Sequence, residues 1–499
     1  MRSGWQQWTS VPTVRVLSHR IRSRLRALQR LGRAETPLSP TWGWVIRWFR
    51  SSILPSSNYL ILLAIVVGVT TGFASVGFIL LLHAVSDFAS GTLAGWLSIF
   101  GPAKLVLLPA LGGLMVGPLI QRFAREARGH GVPEVMTAVA TRGGRIRKRV
   151  VAVKVAASAL TIGFGGVAGR EGPMVQIGSA IGSTVGQAAN LRAERVRTLV
   201  ACGAAGGIAA TFNAPIAAAI FSMEVLMGRI HTDFLLILLT SLSSCMVARH
   251  YLGNFPAFMA PAYELVSPAE LPLYFIMGLV VGLAAIGYSR ALYRAEDIFG
   301  AWTFPEWLKP AVGGLAVGLV LRYFPQIYGS GLPAVESALW VRFPWELMLG
   351  LFVAEFVANI LTLGSGGSGG VFAPSLYMGA MLGGAFGTFA HAMFPAWTAG
   401  SGAYAMVGMA AFFAAAAKAP MTAILILFEM TNDYRIMLPL MTAVVASVYL
   451  SNRYMSFSIY TLKLHNRGIV FPYADDDDAE SGRARVTPRA GSALRTAPP

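Results

Sequence analysis

Three short glycine-rich segments hold the residues best placed to do chemistry: GHGVP (129–133), GREGP (169–173) and GGVFAP (369–374). Each runs from a glycine approach through a proline into an apolar stretch. Glycine lets backbone come close to an ion, and proline fits the first turn of a helix. The start of a helix presents unpaired N–H groups and a partial positive charge. Three such starts aimed at one place would hold a small anion without any full positive charge. An ion held that way is also free to leave, which suits a conduit. Glu171 lies within GREGP. A carboxylate in apolar surroundings is expensive and marks a functional position. At a helix start it can sit where an anion would sit, as a tethered competitor that protonation neutralises and releases. The alternative is a structural pair between Glu171 and Arg170.

The elements that must position these segments are apolar. Of 499 residues 55% are hydrophobic and 13% charged, and the mean hydropathy is +0.59. A soluble domain carries about 25% charged residues, so a water-exposed surface of this size is excluded and the lipid bilayer is the expected solvent. Asn58 to Ser86 alone exceeds the roughly 20 apolar residues of a membrane helix. It starts too far from Met1 to be a secretory signal. Further apolar stretches follow almost without pause to residue 455, several cut by glycine and proline, as expected of broken helices around a mid-membrane site.

An internal repeat organises them. At an offset of 205, residues 203–225 match 408–430 at eight of 23 positions, including Glu224 with Glu429. At 201, residues 163–173 match 364–374 at five of 11, and at 200, GHGVP falls on GSGLP (329–333). Two halves of like architecture follow. Whether they are parallel or inverted depends on a crossing count that the sequence leaves open. The equivalent positions of Glu224 and Glu429 favour a capping role for both. The expected organisation is a basic segment over 1–57, a first membrane repeat over 58–266, a second over 267–464 and a disordered tail over 465–499.

The net charge of +17 is concentrated. Ten arginines stand in residues 1–50, and eight basic residues lie between Arg122 and Arg149. They flank apolar helices, so the positive-inside rule explains them better than nucleic-acid binding and puts both clusters on the cytoplasmic side. No nucleic acid partner is expected. Cys202 and Cys245 sit in apolar runs and read as reduced, packed thiols. No metal cluster, haem motif or phosphate loop is present in the sequence, and no cofactor is expected.

With these motifs in place, the chain resembles the CLC family of chloride channels and proton-coupled chloride transporters over about residues 58–464. GREGP resembles that family's gating-glutamate motif, GHGVP its GSGIP motif and GGVFAP its GIFAP motif. SIYTLKL (458–464) is similar to the segment that carries its central tyrosine, and 212–225 and 419–434 match further family segments. The resemblance implies an all-α integral membrane fold of about eighteen helices of uneven length in two inverted-topology repeats, with broken helices meeting at the mid-membrane. It implies a homodimer with one pore per subunit in a cell membrane, both termini cytoplasmic, and chloride as the transported ion. It implies Glu171 as the gate and an anion site built from Gly129, His130, Gly131, Arg170, Gly172, Gly370, Val371, Phe372 and Tyr460.

Two departures from the family pattern stand out. Position 130 is histidine where serine is usual, so the ring either donates to the anion or turns away. Position 225 is valine, where proton-coupled members carry a proton-relaying glutamate. Valine cannot carry a proton, which favours channel-like conduction over proton-coupled antiport. Fluoride specificity is disfavoured by GHGVP and the Tyr460 segment. A remote reading from another class is an intramembrane serine protease with Ser368 and His391 as nucleophile and base, which requires the two in hydrogen-bond reach. Weaker still is a dinucleotide fingerprint at Gly163, Gly165 and Ala168, which lacks a βαβ setting.

Overall fold

The computed structural model describes residues 56–228, 233–254, 261, 263 and 265–469. The arginine-rich stretch of residues 1–50 and the aspartates at 475–478 lie outside the described residues.

Regular structure among the described residues is helical, with two isolated β-bridges. The first half supplies α1 (Ser56–Asp87), α2 (Lys104–Phe123), α3 (Val132–Thr141), α4 (Arg149–Gly163), α5 (Glu171–Ala188), α6 (Ala193–Phe212), α7 (Pro215–Phe221) and α8 (Phe234–Leu252). The second supplies α9 (Leu271–Ala301), α10 (Lys309–Tyr323), α11 (Leu332–Leu339), α12 (Trp345–Gly364), α13 (Phe372–Met393), α14 (Ser401–Ala417), α15 (Pro420–Thr431), α16 (Met437–Tyr454) and the short α17 (Thr461–Asn466). Spans long and apolar enough to cross a membrane include Phe234–Leu252, Pro268–Ala301 and Trp345–Gly364. Helix α17 ends at Asn466, and the described residues end at 469.

Local sequence explains the breaks. Helices α3, α7, α11 and α15 all begin with proline in the first turn, where its missing N–H is no loss. Helices α6 and α14 stop at Asn213 and Lys418, both in the left-handed region, one residue before an Ala-Pro pair.

The repeat of the sequence is a repeat of contacts. Gly178 lies against the Gly203 carbonyl, and Gly379 against that of Gly408. Gly68 and Gly72 of α1 meet Thr240 and Ser244 of α8, as Gly278 and Gly282 of α9 meet Ala443 and Ser447 of α16. Between the halves the contacts are reciprocal. Gly113 abuts Pro310 and Gly117 abuts Trp307, while Gly314 abuts Pro109 and Gly318 abuts Val106. Numbers rise along α2 as they fall along α10, so these equivalent helices run antiparallel. A two-fold relation between antiparallel, membrane-crossing equivalents has its axis in the membrane plane. The repeats are therefore inverted, and the all-α, two-repeat architecture stands as the sequence predicts.

Glu224 and Glu429 act as caps across this axis. The Glu429 carboxylate accepts from the N–H groups of Ile216 and Ala217 at 3.0 and 2.7 Å. Glu224 accepts from those of Met421 and Thr422 at 3.2 and 2.8 Å. Each half thus caps a helix of the other.

Candidate functional site

The chain crosses itself where the glycine segments meet. Gly169 and Gly370 exchange both backbone hydrogen bonds, at 2.9 and 2.6 Å. The Gly129 N–H donates to the Gly367 carbonyl at 2.9 Å, and the Ala168 N–H to that of Gly329 at 3.1 Å. Gly172 stands at the junction. A Cβ there would lie 2.5 Å from the His130 carbonyl and 2.8 Å from Gly370 Cα, so only glycine lets the three segments close. The starts of α3, α5 and α13 come together as a result.

A narrow cavity lies at this junction. His130, Glu171, Gly172, Val371, Phe372 and Tyr460 line it, joined by the apolar side chains of Val132, Val175, Ile208 and Phe221. Four of the residues read from separate motifs, His130, Glu171, Val371 and Tyr460, therefore share a single wall. All four are buried.

Glu171 occupies the first turn of α5. Neither carboxylate oxygen has a hydrogen-bond partner of regular geometry, although the Ala373 N–H at the start of α13 is close by. The side chain of one half thus reaches over the helix start of the other. Among the described residues no ion pair joins Glu171 to Arg170, and Arg170 Nε has no hydrogen-bond partner. The alternative of a structural Glu171–Arg170 pair is not realised.

Phe372 contributes in two ways. Its ring is held among Phe212, Phe221 and Phe413, with centroids 4.8, 6.4 and 4.2 Å away. That packing leaves its backbone N–H, at the start of α13, for the cavity. Tyr460 is set in place by the preceding residue, whose N–H donates to the Ala416 carbonyl at 2.8 Å. Its ring lies 5.8 Å from that of His130 and 6.3 Å from that of Phe221.

Other residues expected at the site frame the cavity without lining it. Gly129 is engaged on both sides, through its N–H to Gly367 and through its carbonyl to Lys154 Nζ at 2.7 Å. Gly370 is fully engaged with Gly169. Gly131 lies against Gly172 and Gln176, and Arg170 holds the N-cap position of α5 without a side-chain cap bond. Val225 is buried in the turn after α7.

Sequence reasoning missed three supports. Lys154, fully buried on α4, donates to the carbonyls of both Ala127 and Gly129 and so fixes the loop before α3. A lone lysine in an otherwise apolar run was its visible signal. Tyr293 of α9 bonds to His130, and Ser368 braces the same loop through the Ala127 carbonyl at 2.8 Å and Ser158 Oγ at 2.9 Å. Tyr293 had no local signal, and the signal at Ser368 pointed to a nucleophile rather than to a brace. The Ser368 hydroxyl is thereby committed, while His391 is bonded to Thr398, so the nucleophile–base pair of a protease is not assembled.

Comparison with known proteins agrees with this geometry. Residues 112–452 match the family described as Voltage gated chloride channel. A ClcB-like protein of Ralstonia nicotianae is 35% identical over 364 residues, covering 72% of this chain and 85% of the relative. The H(+)/Cl(-) exchange transporter ClcA of Vibrio campbellii is 32% identical over 421 residues, covering 82% and 90%. Among solved structures, a slow cyanobacterial Cl-/H+ antiporter superposes with a TM-score of 0.75 at 27% identity, covering 83% of this chain and 99% of the other. A CLC-type fluoride/proton antiporter gives 0.68 at 25% identity, covering 81% and 97%. Five motifs in order, an inverted repeat closed around one cavity and these likenesses lead to one assignment: the chain is a multi-pass membrane protein of the CLC family of anion transporters and channels.

Proposed function

We propose that this chain carries chloride across a cell membrane through the cavity lined by His130, Val371, Phe372 and Tyr460, with Glu171 as the movable gate. The supporting observation is the convergence of three helix starts and Tyr460 on a buried carboxylate that lacks regular hydrogen bonds. A charged carboxylate in that place contests the position of an anion, and protonation ends the contest. The N–H groups of Val371 and Phe372 would hold a dehydrated ion through the α13 dipole. The protein works as a homodimer in this reading, with both termini in the cytoplasm.

Conduction is passive in the reading we favour. Val225 stands where a proton relay would need a carboxylate, and Glu224 beside it is committed to α15. The second reading is proton-coupled exchange, favoured by relatives and neighbours named as exchangers or antiporters.

Reconstituted vesicles separate the two. With a chloride gradient imposed, passive conduction moves chloride and leaves protons at equilibrium. Uphill proton movement would establish exchange instead. Glu171→Gln should raise flux at neutral pH, where the charged carboxylate otherwise contests the pathway. A Glu171→Gln protein with unchanged flux at neutral pH would overturn the gate assignment.

A further inference from the structure

His130 is 1% exposed and forms part of the cavity wall. Its Nε2 lies 3.0 Å from the Tyr293 hydroxyl oxygen. The Tyr293 hydroxyl in turn donates to the Ile459 carbonyl. A carbonyl can only accept, so the hydroxyl proton of Tyr293 is committed there. Toward His130, the Tyr293 oxygen must then accept, which puts the proton of the neutral ring on Nε2. Nδ1 is left as a bare lone pair, enclosed and without a hydrogen-bond partner. A lone pair repels an anion.

We propose that His130 makes anion binding in this cavity conditional on a proton, so that H+ and chloride enter the inner site together. The inference rests on the cavity being the anion site. A proton from cytoplasmic water adds to the Nδ1 lone pair, hydronium becomes water, and no other bond forms or breaks. The new N–H then donates to the chloride.

The charged groups around the ring fit paired entry. Lys154 comes from α4, and Lys463 and Arg467 come from α17 and the residue after it. Lys463 is paired with Glu296 of α9 at 3.1 Å, and Arg467 with Glu134 of α3 at 2.7 Å. Tyr293 and Tyr460 flank the ring, and Glu171 of α5 lines the same cavity. Lys463 and Arg467 repel a proton from an empty site and attract the anion that accompanies it. Passive conduction is preserved, because the proton regulates occupancy without being driven through Val225.

Calorimetric chloride titration of the purified full-length protein tests the proposal, in a Glu171→Gln background so that the gate carboxylate does not contribute. Between about pH 5.5 and about pH 8.5, the apparent Kd should weaken by about tenfold per pH unit once the ring is mostly neutral, because only the protonated fraction binds. Heats measured in buffers of different ionisation enthalpy should show about one proton taken up per chloride. Adding His130→Ser should flatten the pH dependence. Adding Tyr293→Phe should flatten it too and tighten binding at the alkaline end, because the ring proton is then free to move to Nδ1. A merely structural role for Tyr293 would not produce that gain. Binding that ignores pH while His130 is intact, or a slope that survives either added substitution, would overturn the proposal and leave the cavity assignment standing. Failure of all these proteins to bind chloride at any pH would overturn both.

Discussion

Lys154 and Glu355 occupy equivalent positions, 201 residues apart, on α4 and α12. Both are fully buried, yet their surroundings are opposite. Lys154 donates to two carbonyls of the loop that presents His130. Neither Glu355 oxygen has a hydrogen-bond partner, and nor does the hydroxyl of its neighbour Tyr377. In the second half the loop before α11 is braced instead by the Tyr377 ring, 2.7 Å from where a Gly331 Cβ would stand. The same division recurs nearby, where His130 is answered by Ser330 and Glu171 by Phe372. Symmetry decides where the helix starts point. Departures from symmetry decide what the cavity can do. Toward the cavity the first half supplies His130 and Glu171, and the second supplies backbone N–H groups and the Tyr460 side chain.

If the scaffold is shared, damage to it should be the same in either half, and it should be the largest effect. A Cβ on Gly178 would lie 2.0 Å from the Gly203 oxygen, and one on Gly379 would lie 2.3 Å from that of Gly408. Both partners are backbone and cannot rotate away. Gly178→Ala and Gly379→Ala should each cost about 3 kcal/mol or more, read as a loss of monodisperse protein on size exclusion and a lower Tm in detergent. Tolerance of one but not the other would show that the halves do not share a helix-packing design.

Where the halves diverge, the signs should diverge. Lys154→Met removes two charge-assisted hydrogen bonds and should cost about 2 kcal/mol. It should also weaken chloride binding, since the His130 loop loses its anchor. Glu355→Met replaces an unpartnered buried carboxyl with an apolar chain of similar volume and should raise stability by about 1 kcal/mol. Thermal melts of the two variants in one detergent decide this. A destabilised Glu355→Met protein would mean that the acid has a partner in the working molecule and that the contrast is false.

Much of this was legible in the sequence because it depends on local rules. A glycine approach followed by proline favours a helix start wherever it falls, so the starts of α3, α5 and α13 could be placed from residues alone. The offset of Glu224 from Glu429 announced equivalent positions. Inversion was legible only through the family resemblance, because the residues themselves left it open. It rests on the antiparallel approach of α2 and α10, made by Gly113, Gly117, Gly314 and Gly318, and glycines in apolar helices do not name their partners. The split between residues that line the cavity and residues that frame it was also hidden. Gly129 and Gly370 have the same local sequence character as Gly172. Their exclusion comes from backbone hydrogen bonds to chain more than 200 residues away. Tyr293 was out of reach for the same reason: its partners are 163 and 166 residues distant.

The smallest expected effect concerns the reciprocal caps. Glu224→Ala and Glu429→Ala each strip a carboxylate from two backbone N–H groups at a helix start, and each should cost about 1 kcal/mol. Glu224 also accepts from the Thr422 hydroxyl at 2.7 Å, so its loss should be slightly the larger. The double variant is the informative protein. Both caps tie α7 to α15 across the same axis. Once one is gone the two helix starts are freer to part, and the other cap has less left to hold. The double loss should therefore fall short of the sum of the single losses by about 0.5 kcal/mol or more. Strict additivity in Tm-derived stabilities would mean that each glutamate caps its helix alone, and that the exchange across the axis is geometry without coupling.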